Sequence, residues 1–235
     1  MGLWDRLKQT AKDALAQQAE ADRVRYPAGS AMWSASELRV YHDSLAPFET
    51  ATANALGNVM TLRLYHRLPV SQRQETMDQV SRAVSDVFGY QPPAPVVIDE
   101  SRRQVSWYAQ GLIVLDSAAL GDVRTAIHTA LHESFHCFQK KSVDQWRRGE
   151  IGATEPRAAI VPVWAYNFQH YIQPTTPQKR EVYIRQPLEF HAERFAHRVL
   201  AQLDWLAAAE PVTGPVAGGP VRQKPDDDLY DQMYT

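Results

Sequence analysis

Two histidines four residues apart constrain the fold of this chain more than any other feature of its sequence. The run reads His132, Glu133, Ser134, Phe135, His136, and apolar residues continue at helical spacing on both sides of it. Side chains four apart on an α-helix lie one above the other, so the two imidazoles can hold the same metal ion. We therefore expect a helix that packs one face on the core and carries a metal site on another.

Glu133 adds a chemical function to this pair. It stands about 100° around the helix from His132, which lets its carboxylate reach a metal-bound water without ligating the ion. A bound metal ion lowers the pKa of water from ~15.7 towards ~7, and a nearby carboxylate can accept the proton as the water attacks a carbonyl carbon. The pattern predicts amide hydrolysis with Glu133 as general base.

A catalytic zinc site usually takes three protein ligands, so a third is expected. A histidine soon after the run would require glycine and histidine where the chain has Gln139 and Ser142. A glutamate on a later helix is the alternative. Glu189 and Glu193 lie four apart on a helix that Pro187 is expected to begin. We assign Glu189 as the third ligand and Glu193 as the carboxylate that accepts the second N–H of a ligating histidine.

These residues resemble the glutamate-ligand zinc metallopeptidases, or gluzincins, of which thermolysin is the familiar member. The resemblance rests on the H-E-x-x-H run and on Glu189, Ala192 and Glu193, which are similar to an E-x-x-A-D pattern, with glutamate in place of aspartate. Residues 186–196 also resemble the third-ligand helix of small bacterial and phage-associated HExxH proteins. Over residues 96–206 the resemblance implies a zincin-like fold, one Zn²⁺ per chain, and residues 111–116 beside the substrate backbone.

Hydrophobic periodicity predicts an α+β fold that is predominantly helical, with a small three-stranded sheet and an active-site helix. The strands are expected as a meander over residues 96–99, 105–109 and 111–116. The helices are expected over residues 2–22, 35–68 with an interruption near Pro47, 71–88, 123–148, 158–172 and 188–209. Prolines 174 and 177 are expected to break the chain between the last two helices.

Capping residues mark several of these helix ends. Ser71 with Gln74 forms a capping-box pattern at the start of the helix over 71–88, and Gly89 fits a left-handed cap at its end. Asp122 is the expected N-cap of the helix that carries the two histidines. Gly149 is expected to end that helix.

The 235 residues fit one globular domain with appendages. We expect an amphipathic helix and linker over residues 1–30, a metallopeptidase domain over 31–210, and a disordered Pro/Gly-rich acidic tail over 211–235.

The net charge of -2 gives no electrostatic reason to bind nucleic acid, and no apolar run is long enough for a transmembrane segment. The single cysteine, Cys137, is expected to be buried. A single cysteine cannot form a disulfide within the chain, and the sequence lacks a secretory signal. Both features favour the cytoplasm, with export by a dedicated apparatus left open.

Other polar side chains are candidates for supporting roles. Hydrolysis through a tetrahedral intermediate benefits from a hydrogen-bond donor to the oxyanion. The sequence offers four such donors without choosing among them: Tyr183, Tyr171, Tyr166 and His170. His128 precedes His132 by one helical turn and either lines the cleft or is solvated, and His197 extends the line of Glu189 and Glu193 in the same way.

Two functions of different classes fit these features. The first is a zinc peptidase that acts on proteins or peptides. The second is a catalytically inactive zincin-like protein that binds a protein partner through its N-terminal helix or its acidic tail. A di-iron carboxylate bundle would need two E-x-x-H pairs. Glu133 and His136 supply one, but alanines follow Glu189 and Glu193 at the required spacing, so this class is set aside.

Overall fold

The structure is a computed structural model that describes residues 43–57, 68–100, 107–109 and 111–209. The predicted helix over residues 2–22, the start of the helix predicted from residue 35, and the predicted tail over 211–235 lie outside these ranges. Among the residues that are described, no helix is long and apolar enough to cross a membrane.

Within these ranges the chain forms six α-helices and a small sheet, which confirms the α+β, predominantly helical class. The helices are α1 (Ala46–Gly57), α2 (Val70–Phe88), α3 (Val123–Arg147), α4 (Val161–Gln169), α5 (Pro177–Arg185) and α6 (Pro187–Ala209). The strands are β1 (Val96–Asp99), β2 (Trp107–Ala109) and β3 (Leu112–Asp116). Short 3₁₀ turns occupy Ser117–Gly121 and Pro156–Ala158.

The sheet has three strands, as predicted, but it is not a meander. The strand order is β1-β3-β2, with β1 parallel and β2 antiparallel to β3. A meander would pair each strand antiparallel to the next one in sequence. Here β3 takes the centre, where Ile113 and Leu115 are completely buried. The most apolar strand, β3, therefore pairs on both sides, and β1 lies at an edge of the sheet. Helix α2 covers this edge, where Asp78 accepts a hydrogen bond from Val96 N at 2.7 Å.

The predicted capping box at the start of α2 is wrong. Pro69 stands at the N-cap position and makes no side-chain cap. Gln74, which the capping box requires at the helix start, instead donates from Nε2 to the Val96 carbonyl at 2.9 Å. The sheet edge thus competes successfully for this side chain, because an unpaired carbonyl beside a packed helix needs a donor.

The predicted end signals at Gly89, Asp122 and Gly149 are confirmed. Gly89 ends α2 in the left-handed region at φ 67°. Asp122 caps α3 by accepting from Thr125 N at 2.7 Å. After Arg147, the last residue of α3, Gly149 turns the chain at φ 73°. These signals are local in sequence, which is why they could be predicted.

The segment after α3 differs from the prediction. The helix expected over residues 158–172 is the shorter α4, and α5 occupies part of the segment where two prolines were expected to break the chain. Pro177 is the first residue of α5, and Thr176 before it accepts from Lys179 N at 3.2 Å. Proline suits this position because its missing N–H has no partner in the first turn. Pro187 begins α6 in the predicted manner.

Helix α3 runs through the core and is packed by α2, α4 and α6. Phe135 is fully buried, with its ring 4.9 Å from that of Phe195 on α6 and 6.2 Å from that of Trp164 on α4. Aromatic contacts of this kind contribute beyond the area that they bury. Because Phe135 directly precedes His136, the packing that joins α3 to α6 also sets the position of the histidine pair relative to α6.

Candidate metal centre

His132 and His136 on α3 and Glu189 on α6 bring three ligand atoms together. The two Nε2 atoms are 3.0 Å apart, and they lie 3.2 and 3.3 Å from Oε2 and Oε1 of Glu189, respectively. Ligands at ~2.0–2.1 Å around a tetrahedral ion are separated by about 3.4 Å. The three side chains, which we call the metal group, therefore fit around one metal ion.

This group is largely withdrawn from solvent. The side chain of Glu189 is 4% exposed, and those of His132 and His136 are 14% and 12% exposed. Burial alone would raise the pKa of Glu189, but the neighbouring histidines outweigh it and hold that pKa well below its ordinary value. Burial likewise acts to lower the pKa of His132, whereas its contacts with Glu189 and Glu193 raise it to about 10. Protons and metal therefore compete for the same atoms.

Each histidine also has a partner at its Nδ1 atom. His136 Nδ1 lies 2.7 Å from Gln139 Oε1, and His132 Nδ1 lies 3.2 Å from Glu193 Oε2, although the latter N–H is not well aligned for a hydrogen bond. A proton on Nδ1 leaves the lone pair on Nε2, which faces the group. Three acceptors then converge, and a metal ion that displaces the competing proton can lie between them. Glu193 lies where the sequence predicted an orienting carboxylate.

Gln139 is a site residue whose role the sequence reasoning missed. Its side chain is fully buried, and while Oε1 faces His136, Nε2 donates to the Leu188 carbonyl at 3.1 Å. It therefore joins a ligand on α3 to the residue that precedes Glu189 on α6. The available signal was its position three residues after His136, which places the two side chains on one face of the helix.

Replacing Gln139 with leucine is expected to weaken the binding of a metal ion, for which Zn²⁺ is the probe, by ~10–100-fold, the usual cost of removing a group that orients a ligand. The change frees His136 Nδ1 and leaves the Leu188 carbonyl without its donor. Zinc affinity measured by competition with a chelator checks this. Gln145→Leu is the matched control, since Gln145 lies on the same helix and accepts from Arg157 at 2.9 Å, away from the metal group. Equal losses in both variants would contradict the assigned role.

Glu133 lies beside the group without belonging to it. Its side chain is buried, and its carboxylate accepts the backbone N–H of Tyr108 in strand β2. Burial raises the pKa of Glu133, with His132 and His136 acting against the rise. A carboxylate with a raised pKa is a stronger proton acceptor.

A cavity of about 440 Å³ opens beside the metal group. Helix α3 contributes His128, His132 and Glu133 to its lining, α6 contributes Glu193, and the end of β3 contributes Asp116. Residues 111–116 were expected beside a substrate backbone; of these, Asp116 lines the cavity, while β3 is the central strand and its backbone pairs on both sides. The strand next to Glu133 is β2, which forms an edge of the sheet.

The four predicted oxyanion donors separate into two pairs. Tyr171 Oη donates to Glu189 Oε1 at 2.5 Å, and the Tyr183 ring stands nearly perpendicular to that of Tyr171 at 5.9 Å. Burial raises the pKa of both phenols above the ordinary value, so each keeps its proton. His170 instead stacks on Tyr166 with ring centroids 4.0 Å apart and bonds to its carbonyl. The structure therefore brings Tyr171 and Tyr183, but not the other pair, into contact with the metal group.

Cys137 is buried, as predicted, although it lies on the same helix as the two histidines. Its thiol lies beside the hydroxyls of Tyr90 and Tyr108, of which Tyr90 Oη donates to the Ser134 carbonyl at 3.2 Å, and burial raises the pKa of the thiol. A buried thiol of this kind is a poor nucleophile. Cys137 therefore belongs to the packing behind the metal group.

The described residues thus contain a buried group of His132, His136 and Glu189 that can hold a metal ion. Glu133 and an open cavity lie next to it. Comparison of the chain with protein-family models, with curated proteins and with solved structures finds no match. The geometry of the side chains is accordingly the basis on which a function can be inferred.

Proposed function

We propose that this chain is a zinc-dependent peptidase with a zincin-like fold. The observation that carries the proposal is the convergence of His132, His136 and Glu189 beside the buried carboxylate of Glu133. Two histidines and one glutamate are a common donor set of catalytic zinc, with a fourth position for water or substrate. When bound, zinc lowers the pKa of water and polarises a carbonyl group.

Glu133 acts as the proton carrier in this proposal. It takes a proton from the water that adds to the peptide carbonyl carbon, and it returns that proton to the nitrogen as the carbon–nitrogen bond breaks. Its raised pKa supports the first transfer, and the N–H of Tyr108 supports the orientation of its carboxylate. The position of β2 beside Glu133 also offers an edge to which an extended peptide can add.

Tyr171 and Tyr183 are the donors that we assign to the oxyanion. Both are neutral phenols close to Glu189, and the Tyr171 hydroxyl, which donates to Glu189 Oε1, would turn that proton to the oxyanion. His170 is left out of the proposal because its contacts are with Tyr166.

Metal analysis and a cleavage screen test the proposed function. We expect one tightly bound zinc per chain, and cleavage within a broad peptide library that a chelator abolishes and Zn²⁺ restores. Bound iron in place of zinc would overturn the proposal, since two histidines and a carboxylate also hold iron(II) in oxygenases. Zinc binding without any cleavage would favour the inactive partner-binding protein instead. The segments on which that alternative depends, residues 1–30 and 211–235, lie outside the described residues.

A further inference from the structure

A second cluster of ligand-type side chains lies one helical turn from the first on both helices. It consists of His128 on α3 and of Glu193 and His197 on α6. Glu193 Oε1 lies 3.3 Å from His128 Nε2 and 3.0 Å from His197 Nε2, and all three atoms lie within 4.8 Å of one another. We propose that this cluster is a second divalent-metal site, whose ligand Glu193 also contacts His132 of the first.

His128 provides an independent observation. Its Nε2 atom is buried and has no aligned hydrogen-bond partner among the described residues, although a carboxylate oxygen lies 3.3 Å away. Buried ring nitrogens are normally satisfied, because an unpaired polar atom costs free energy. A lone pair that faces a carboxylate oxygen is stable when a cation lies between them. The two separations from Glu193 are also close to the ~3.4 Å expected between ligands of one ion.

The second site differs from the first in its exposure. The side chains of His197, Glu193 and His128 are 43%, 29% and 23% exposed. Ligands that solvent reaches are less firmly held, so the second ion binds more weakly and exchanges with the medium. Imidazole and carboxylate donors suit zinc and the neighbouring divalent transition metals.

Glu193 couples the two sites through its two oxygens. Oε2 lies 3.2 Å from His132 Nδ1, while Oε1 faces the second cluster. An ion on Oε1 withdraws electron density from the carboxylate and weakens its support of His132. His128 and Glu193 also line the cavity beside the metal group. A second ion therefore occupies space needed by the substrate, and excess zinc inhibits cleavage; this last consequence rests on the proposed peptidase function.

Calorimetric titration of the chelator-treated full chain with Zn²⁺ alone tests the second site. Two binding classes are expected, the second weaker by at least ~10-fold. His197→Asn and, independently, His128→Asn are expected to remove the weak class and keep the tight one. His170→Asn is the matched control, since His170 contacts Tyr166 instead, and it is expected to keep both classes.

The outcomes for the two sites are distinguishable. Glu189→Gln is expected to remove the tight binding class and leave the weak one. That result would support the second site whether or not the first site catalyses peptide cleavage. A single class in the unmodified chain, or two classes in both His197→Asn and His128→Asn, would overturn the second site. Two classes without peptide cleavage would overturn the peptidase and support the second metal site.

Discussion

Replacing Glu133 with glutamine is expected to lower the rate of peptide cleavage by ~10²–10⁴-fold, the range that a positioned general base contributes. Glutamine preserves the size of the side chain and an oxygen that can accept the Tyr108 N–H, but it cannot take up a proton. Because Glu133 is not one of the three converging ligands, zinc content should remain at the level of the unmodified chain. The measurements are kcat/KM on a peptide found in the library screen and metal analysis of the same preparation.

Glu150→Gln is the control for this substitution. Glu150 is an exposed carboxylate just beyond α3, 2.6 Å from Arg148 Nε, and its replacement is expected to leave both rate and zinc content unchanged. Undiminished cleavage by Glu133→Gln would contradict the assignment of a general base. Loss of zinc from that variant would show instead that Glu133 maintains the metal group, and the lower rate would then say nothing about proton transfer.

The parts of the candidate metal site that could be predicted are those encoded by local spacing. His132 and His136 share a helix face because they are four apart, and Pro187 marks the start of the helix that carries Glu189. The meeting of these helices depends on packing between distant residues, of which the Phe135 and Phe195 stacking is an example. Apolar periodicity indicates that each helix has a buried face, but it does not indicate which faces meet.

The parts that could not be predicted are those decided by competition over long distances. Strand order depends on which segments pair after the chain collapses, and the parallel contact of β1 with β3 has no signal in adjacent residues. Gln74 has a capping-box spacing, yet it binds Val96, 22 positions further along the chain. Gln139 likewise reaches Leu188, 49 positions away. In each case the acceptor is a backbone carbonyl that is distant in sequence and becomes a neighbour only in the folded chain. That carbonyl determines the orientation of the side chain.

Replacing Glu189 with glutamine is expected to reduce the affinity of the tight zinc site by more than ~100-fold, beyond the 10–100-fold that outer groups contribute. Glutamine retains one ligand-type oxygen in nearly the same volume but removes the negative charge that the two histidines face. That charge lies in a side chain only 4% exposed, where solvent does little to replace it. Calorimetric titration with Zn²⁺ measures the loss.

Glu193→Gln is the graded comparison, because Glu193 lies one turn further along α6 and contacts the Nδ1 side of His132 instead of the converging Nε2 atoms. Its replacement is expected to cost the tight site ~10–100-fold. The order of the two losses in zinc affinity therefore shows which glutamate is the ligand. A larger loss for Glu193 than for Glu189 would exchange their roles, and it would place the ion on the opposite side of the His132 ring. Equal, small losses would mean that the histidine pair holds zinc without a carboxylate, and the three-ligand site would then be wrong.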